Sequence, residues 1–217
     1  MGYKMTDNRG LNFSKNKKIH AALDIGNSKI ACMIAQGAQN NDVQIKVLGF
    51  GQHVSMGFTQ GKVTNLLKLS NAIASSVESA EKMAGFPINH LNCNINGGNP
   101  KTILTRKSIP IKSNNISNDD LNKVLKNDTE FNLSNFTLLN RNIVRFLTDD
   151  NFEVENPIGL KSKTLSVELS DVYADKDVIT NLSKTIELCH LSVQNFYISQ
   201  EVLGIATMIR EERENGA

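Results

Sequence analysis

The sequence predicts a mixed α/β fold, and three observations carry that expectation. Ile19–Gln36 (IHAALDIGNSKIACMIAQ) reads as an apolar strand, a tight turn at Gly26-Asn27-Ser28 and a second apolar run, the pattern of a hairpin. Leu66, Leu69, Ile73, Val77, Ala80 and Met83 recur at steps of three and four, one apolar stripe of a long helix. His90–Asn96 and Thr164–Val172 alternate apolar and polar residues with the period of half-buried strands.

Along the chain, residues 1–18 hold turn formers and charges, Lys15, Lys17 and Lys18 among them. With little to bury, they read as a disordered leader. The first strand climbs to Asp24, an acid where strands disfavour one. Beside Gly26, which lets a ligand approach the backbone, that carboxylate suggests a phosphate and metal site. Val43–Phe50 is a third strand after an Asn40-Asn41-Asp42 turn, and Gly49, Gly51, Gly57 and Gly61 mark bulges and turns behind it. Thr64 or Asn65 caps the long helix, Gly85 ends it and Pro87 forbids its continuation. Gly97-Gly98-Asn99-Pro100 breaks the strand that follows, and Thr102–Ile111 is the next. Ser117 with Asp120 opens a helix of about ten residues in capping-box fashion. Ile143–Phe146 and Phe152–Val154 pair as a hairpin, and Asn156-Pro157-Ile158-Gly159 is a turn. After the strand at Thr164 come a helix over Asp177–Leu188, a strand over Val193–Ile198 and a helix over Glu201–Arg210.

The 217 residues suffice for one large domain or two small ones, with 40% hydrophobic and 21% charged residues. A net charge of +2 gives no reason to expect a nucleic-acid partner or a membrane surface. Cys32, Cys93 and Cys189 are far apart in apolar segments and read as buried, reduced thiols. His20, His53, His90 and His190 share no ligand spacing. No apolar run approaches the roughly 18 residues of a spanning helix. There is no internal repeat and no sharp linker, so a second unit would be an insertion.

At Asp24-Ile25-Gly26-Asn27-Ser28-Lys29 the chain resembles the actin-like ATPase superfamily, whose first phosphate loop begins with Asp-x-Gly. Within it the chain is similar to the FtsA family of bacterial cell division, whose usual string is Asp-Ile-Gly-Thr-Ser-Lys. Four further stretches share the resemblance in order: Gly57-Phe58-Thr59-Gln60-Gly61-Lys62-Val63, Glu81-Lys82-Met83-Ala84-Gly85, Ile95-Asn96-Gly97-Gly98 and Asn156-Pro157-Ile158-Gly159. The resemblance implies an actin-like, ribonuclease H-like first lobe with an inserted small α+β subdomain. The lobe would comprise 19–88 and 176–217, and the inserted interaction subdomain 89–175. The stop at Ala217 leaves only the first half of such a protein, without the second phosphate loop, the adenosine-binding lobe and the membrane-seeking C-terminal helix.

The resemblance also implies the site. Backbone N–H groups of Gly26, Asn27 and Ser28 would face the phosphates of ATP, and Asp24 would hold Mg through water. Lys29 would add a point charge near phosphate, or else face solvent. Asn27 departs from the usual Thr, and its amide can still donate to a phosphate oxygen. Gln200 stands where actins carry the Gln that orients the attacking water, with Glu201 as the alternative; helix capping by Ser199 is the ordinary reading of the same residues. The implied function is an adaptor that polymerises on the inner face of the cell membrane at the division site, tethers FtsZ and recruits later division proteins through its inserted subdomain. It would be at most a weak ATPase, and with half the cradle present this polypeptide alone should bind ATP weakly or not at all. The alternatives are an actin-like pilus-assembly adaptor and a sugar or acid kinase, which would need a catalytic Asp from among Asp119, Asp149 and Asp171.

Overall fold

A computed structural model describes residues 19–37, 45–113, 115–126, 133–209 and 211–212. The leader 1–18 and the Asn40-Asn41-Asp42 turn lie outside the described residues.

The hairpin forms as its pattern predicts. β1 (Ile19–Ile25) pairs antiparallel with β2 (Lys29–Gln36), Ile25 opposite Ile30. β2 pairs in turn with β3, which runs over Lys46–Val54, later than the sequence pattern placed it. The short ribbon β4–β5 (Phe58–Thr59 and Lys62–Val63) leads into α1 (Leu66–Ala84). Asn65, not Thr64, caps this helix: its Oδ1 accepts from the Lys68 N–H at 2.9 Å. At the other end Gly85 takes a φ of +84° and its N–H donates to the Glu81 carbonyl. Glu81 has a second task, its Oε1 accepting from the Ile88 N–H at 2.7 Å, so it fixes the chain that leaves the helix. The buried stripe is Leu69, Ala72, Ile73, Val77 and Ala80; Leu66 and Met83, which the spacing put on it, are exposed at the two ends of the helix.

β6 (His90–Ile95) runs parallel to β1, and β11 (Ser192–Ile198) runs parallel to β6. The first sheet thus has the order β11-β6-β1-β2-β3 with β2 alone reversed. α1 and α3 (Lys176–Glu187) cover one face of it, where Leu23, Ile25, Cys32, Leu91, Cys93 and Leu182 are buried in one cluster. Burial pushes the Cys32 thiol up to about 12 and the Cys93 thiol further, which keeps both protonated and inert at neutral pH.

Between β6 and α3 the chain builds a second sheet, in the order β7-β10-β8-β9, from β7 (Lys101–Pro110), β8 (Phe136–Leu147), β9 (Glu153–Val154) and β10 (Thr164–Asp175). α2 (Asn118–Lys126) covers it, and Ile116, Val124, Leu165, Val167 and Leu169 form a separate core. Ser117 and Asp120 bond reciprocally at the start of α2, as their spacing predicts. β6 belongs to the first sheet, so the second unit begins after it and not at residue 89. β8 is also three times the predicted Ile143–Phe146 segment, for a reason taken up below.

Candidate phosphate site at the carboxyl ends of the parallel strands

β1, β6 and β11 end level. Ile25 is opposite Ile95, and Ile95 is opposite Ile198. Three connections therefore leave the sheet side by side: the Gly26–Ser28 turn, the Gly97-Gly98 break, and the start of α4 (Ser199–Thr207). Ligands in open α/β sheets bind outside such carboxyl ends.

The turn is held from both sides. The Gly26 N–H donates to the Lys29 carbonyl at 3.0 Å, and the Ser55 N–H donates to the Ser28 carbonyl at 3.0 Å. Asn27 reaches across: its Oδ1 accepts from the Gly61 N–H at 3.4 Å, leaving its donating nitrogen as the group that differs in reach from a Thr hydroxyl. Gly61, at φ +74°, lies directly against Gly97. A Cβ on Gly97 would stand 2.4 Å from the Gly61 Cα, and one on Gly61 would stand 2.6 Å from the Gly97 Cα. Two segments more than thirty residues apart thus meet backbone to backbone beside the turn, which only glycine permits.

Asp24 is exposed on the sheet face opposite α1, next to the end of β1. Asn94 Nδ2 donates to its Oδ1 at 3.1 Å, while the Asn94 Oδ1 is buried without a hydrogen-bond partner among the described residues. Sequence reasoning passed over Asn94 as one polar position of an alternating strand; its register opposite Asp24 is a property of the sheet. Ser28 and Lys29 are exposed, with Lys29 opposite Val54 at the start of β2.

Gln200 is exposed in the first turn of α4. It lines an open groove of ≈ 460 Å³ with Pro100, Thr102, Asn142, Ser170 and Glu201. The capping reading of Ser199 does not hold. Its hydroxyl donates to the Ile95 carbonyl at 2.8 Å, and Ile198 stands at the cap position. Glu201 turns away to the second sheet, where its Oε1 accepts from Asn140 Nδ2 and from Asn142 Nδ2, both at 2.9 Å.

Two of the three aspartates that a kinase would draw on are engaged elsewhere. Asp171, 2% exposed, is gripped by the Arg141 guanidinium at 2.7 and 2.8 Å. Asp149 accepts from the Lys163 and Thr164 N–H groups, and these bonds, the Lys163 one foremost, hold its carboxyl below the usual range. Asp119 lies on α2, beside a separate groove with Asn122, Lys123 and Lys126. Among the described residues no cluster of three His, Cys, Asp or Glu could hold a metal by itself, and no helix is long and apolar enough to cross a membrane.

No protein-family model matches the chain. Curated proteins do. The cell division protein FtsA of Agrobacterium fabrum is 26% identical over 212 residues, 94% of this chain and 48% of that protein. FtsA of Neisseria meningitidis is 26% identical over 197 residues, covering 90% and 47%, and FtsA of Borreliella burgdorferi is 24% identical over 208 residues, covering 93% and 49%. The chain spans about half the length of these relatives. Among solved structures, the PilM–PilN type IV pilus biogenesis complex contains a similar fold, with a TM-score of 0.53 at 11% identity over 86% of this chain and 49% of that one. Over nearly its whole length the chain is similar in sequence to cell division proteins named FtsA, and its fold is similar to that found in the PilM–PilN complex.

Proposed function

We propose that the chain is the part of an actin-like cell-division protein that presents the first phosphate loop to ATP. The observation that carries the reading is the convergence of the Asp24 turn, Gly61 and Gly97 at the carboxyl ends of β1, β6 and β11. Glycine backbones packed in contact there leave room for phosphate and N–H groups to meet it.

In this reading Asn27 and Ser28 offer backbone donors to the phosphates, whereas the Gly26 N–H, expected to join them, is taken by the Lys29 carbonyl within the turn, and Asn27 ties the turn to Gly61. Lys29 adds positive charge at the rim. The donor set suits Mg, a hard cation that takes oxygen ligands and keeps its waters, and Asp24, steadied by Asn94, would hold it through water. The bound ion would neutralise phosphate charge. Gln200, at the same end of the sheet, would orient the attacking water, while Glu201 is engaged by two amides and is the weaker candidate. Turnover would be slow at most. The division role, with self-association into filaments, anchoring of FtsZ at the inner membrane face and recruitment of later division proteins through the second unit, rests on the likeness to proteins named FtsA. A pilus-assembly adaptor is the second reading, supported by likeness of fold without likeness of sequence.

Titration of the chain with Mg-ATP, followed by amide NMR, tests the nucleotide reading. Shifts should gather at residues 24–29, 61 and 97–98, saturate only well above micromolar nucleotide, and vanish in Asp24→Ala. No shift at those residues at millimolar Mg-ATP would overturn the site. Calorimetric affinity in the micromolar range would overturn the expectation of weak binding.

A further inference from the structure

We infer that Glu201, Asn140 and Asn142 form a latch that couples the second sheet to the helix presenting Gln200. The network is closed on itself: Asn140 Nδ2 donates to Asn142 Oδ1 at 3.1 Å, and both amides donate to the same carboxylate oxygen of Glu201 at 2.9 Å. A carboxylate oxygen with two amide donors makes charge-assisted bonds, stronger than neutral ones. The Glu201 Oε2 is buried without a hydrogen-bond partner among the described residues, a cost that the Oε1 contacts offset. The acid also sits in the first turn of α4, where the helix dipole favours negative charge.

The position of the latch gives it meaning. Glu201 follows Gln200 directly, and Ser199 on the other side is bonded to the Ile95 carbonyl at the end of β6. The first turn of α4 is therefore pinned twice, to the first sheet by Ser199 and to the second by Glu201. Other ties between the units are the chain crossings, where the Asp175 N–H donates to the Gly98 carbonyl and the Lys176 N–H donates to the Asn135 carbonyl, and the packing of Leu139, Val172 and Ala174 of the second sheet in the first core. The latch consists of polar side chains at the surface of the second sheet and can open while the crossings and this packing persist. A partner that shifts the second sheet would then shift Gln200, and a change at the phosphate end would be felt in β8. Glu201 is a positioning residue in this scheme. The link to nucleotide rests on the function proposed above, whereas the latch itself does not.

Hydrogen exchange and amide NMR on the whole chain without nucleotide test the latch. Glu201→Ala should speed exchange in both β8 and α4 about tenfold or more, while α1 and β6 keep wild-type rates. Glu201→Gln retains Oε1 as acceptor and should restore most of the protection. Asn140→Ala, a change in the second sheet, should move the Gln200 resonances, and adding Glu201→Ala should bring no further rise in β8 exchange. Asn142→Asp would set two carboxylates together and should open the latch at neutral pH, with faster exchange in β8 and α4. Unaltered exchange in β8 for Glu201→Ala, or unmoved Gln200 resonances for Asn140→Ala, would overturn the proposal. Because no nucleotide is present, either outcome leaves the Mg-ATP titration to decide the phosphate site separately.

Discussion

Single residues set the geometry at the carboxyl ends of the parallel strands. Gly61 and Gly97 are the sharpest case, because each occupies the space that a side chain on the other would need. Gly97→Ala places a methyl 2.4 Å from the Gly61 Cα, against backbone that has no rotamer with which to yield. The turn and the Gly97-Gly98 segment must then separate, breaking the Gly61 to Asn27 bond as well. The expected loss is about 2–3 kcal/mol, the usual cost of overpacking a tight site, seen as a lower midpoint in urea with an unchanged slope. A midpoint within error of wild type would show that the contact relaxes freely. The sequence pattern flagged these glycines one by one as turn formers and, through the family resemblance, as parts of two separate segments. That they touch is visible only once α1 has returned the chain to β6. Asn27 teaches the same lesson: as a substitution in a loop it raised a question about phosphate, and its carbonyl oxygen turns out to bind Gly61.

At the scale of elements, the strands and helices whose alternation is clean were legible. β1, β2, β6, α1, α2 and α3 lie where periodicity and caps put them, give or take a turn. β8 was legible only at its end, because Asn140, Arg141 and Asn142 interrupt the apolar pattern with residues that strands disfavour. The structure supplies the reason in tertiary contacts. Asn140 and Asn142 hold Glu201, and Arg141 points to the other side to pair with Asp171 of β10. The pair is a bidentate bridge with an almost fully buried acid. Removing one member leaves a charge without compensation, so Arg141→Ala should destabilise the chain by about 3–5 kcal/mol. Arg141→Ala with Asp171→Ala should cost clearly less than the sum of the single changes, since no stranded carboxylate remains. Thermal and chemical unfolding of the three variants gives the cycle, and strict additivity would mean that the pair contributes no coupling. The same buried acid is why Asp171 was a poor choice for catalysis: burial and a fixed guanidinium make it part of the scaffold.

For the whole molecule, the decisive asymmetry is that the first sheet is covered on one face. α1 and α3 lie on the side of Leu23, Cys32 and Cys93. On the opposite face the register lines up Phe50, Met33, Ala22, Asn92 and Asn195 across all five strands, and the next row is Gln52, Ala31, Asp24, Asn94 and Tyr197. Polar residues occupy the half near β6 and β11, including the site carboxylate. The half over β2 and β3 is apolar and open among the described residues, with Met33 41% exposed, Phe50 44% and Val54 67%. Sheets built on parallel strands are normally covered on both faces, and contiguous apolar surface of this kind drives association. The chain should therefore self-associate through the β2–β3 face as its concentration rises. Phe50→Asp puts a charge at the centre of that row without touching the buried side, so it should shift the species toward monomer while altering stability by less than about 1 kcal/mol. Sedimentation velocity over a range from micromolar to near-millimolar chain reads the first effect and thermal unfolding the second. A monodisperse wild-type monomer at the highest concentration, or equal association by Phe50→Asp, would place the contact elsewhere on the surface.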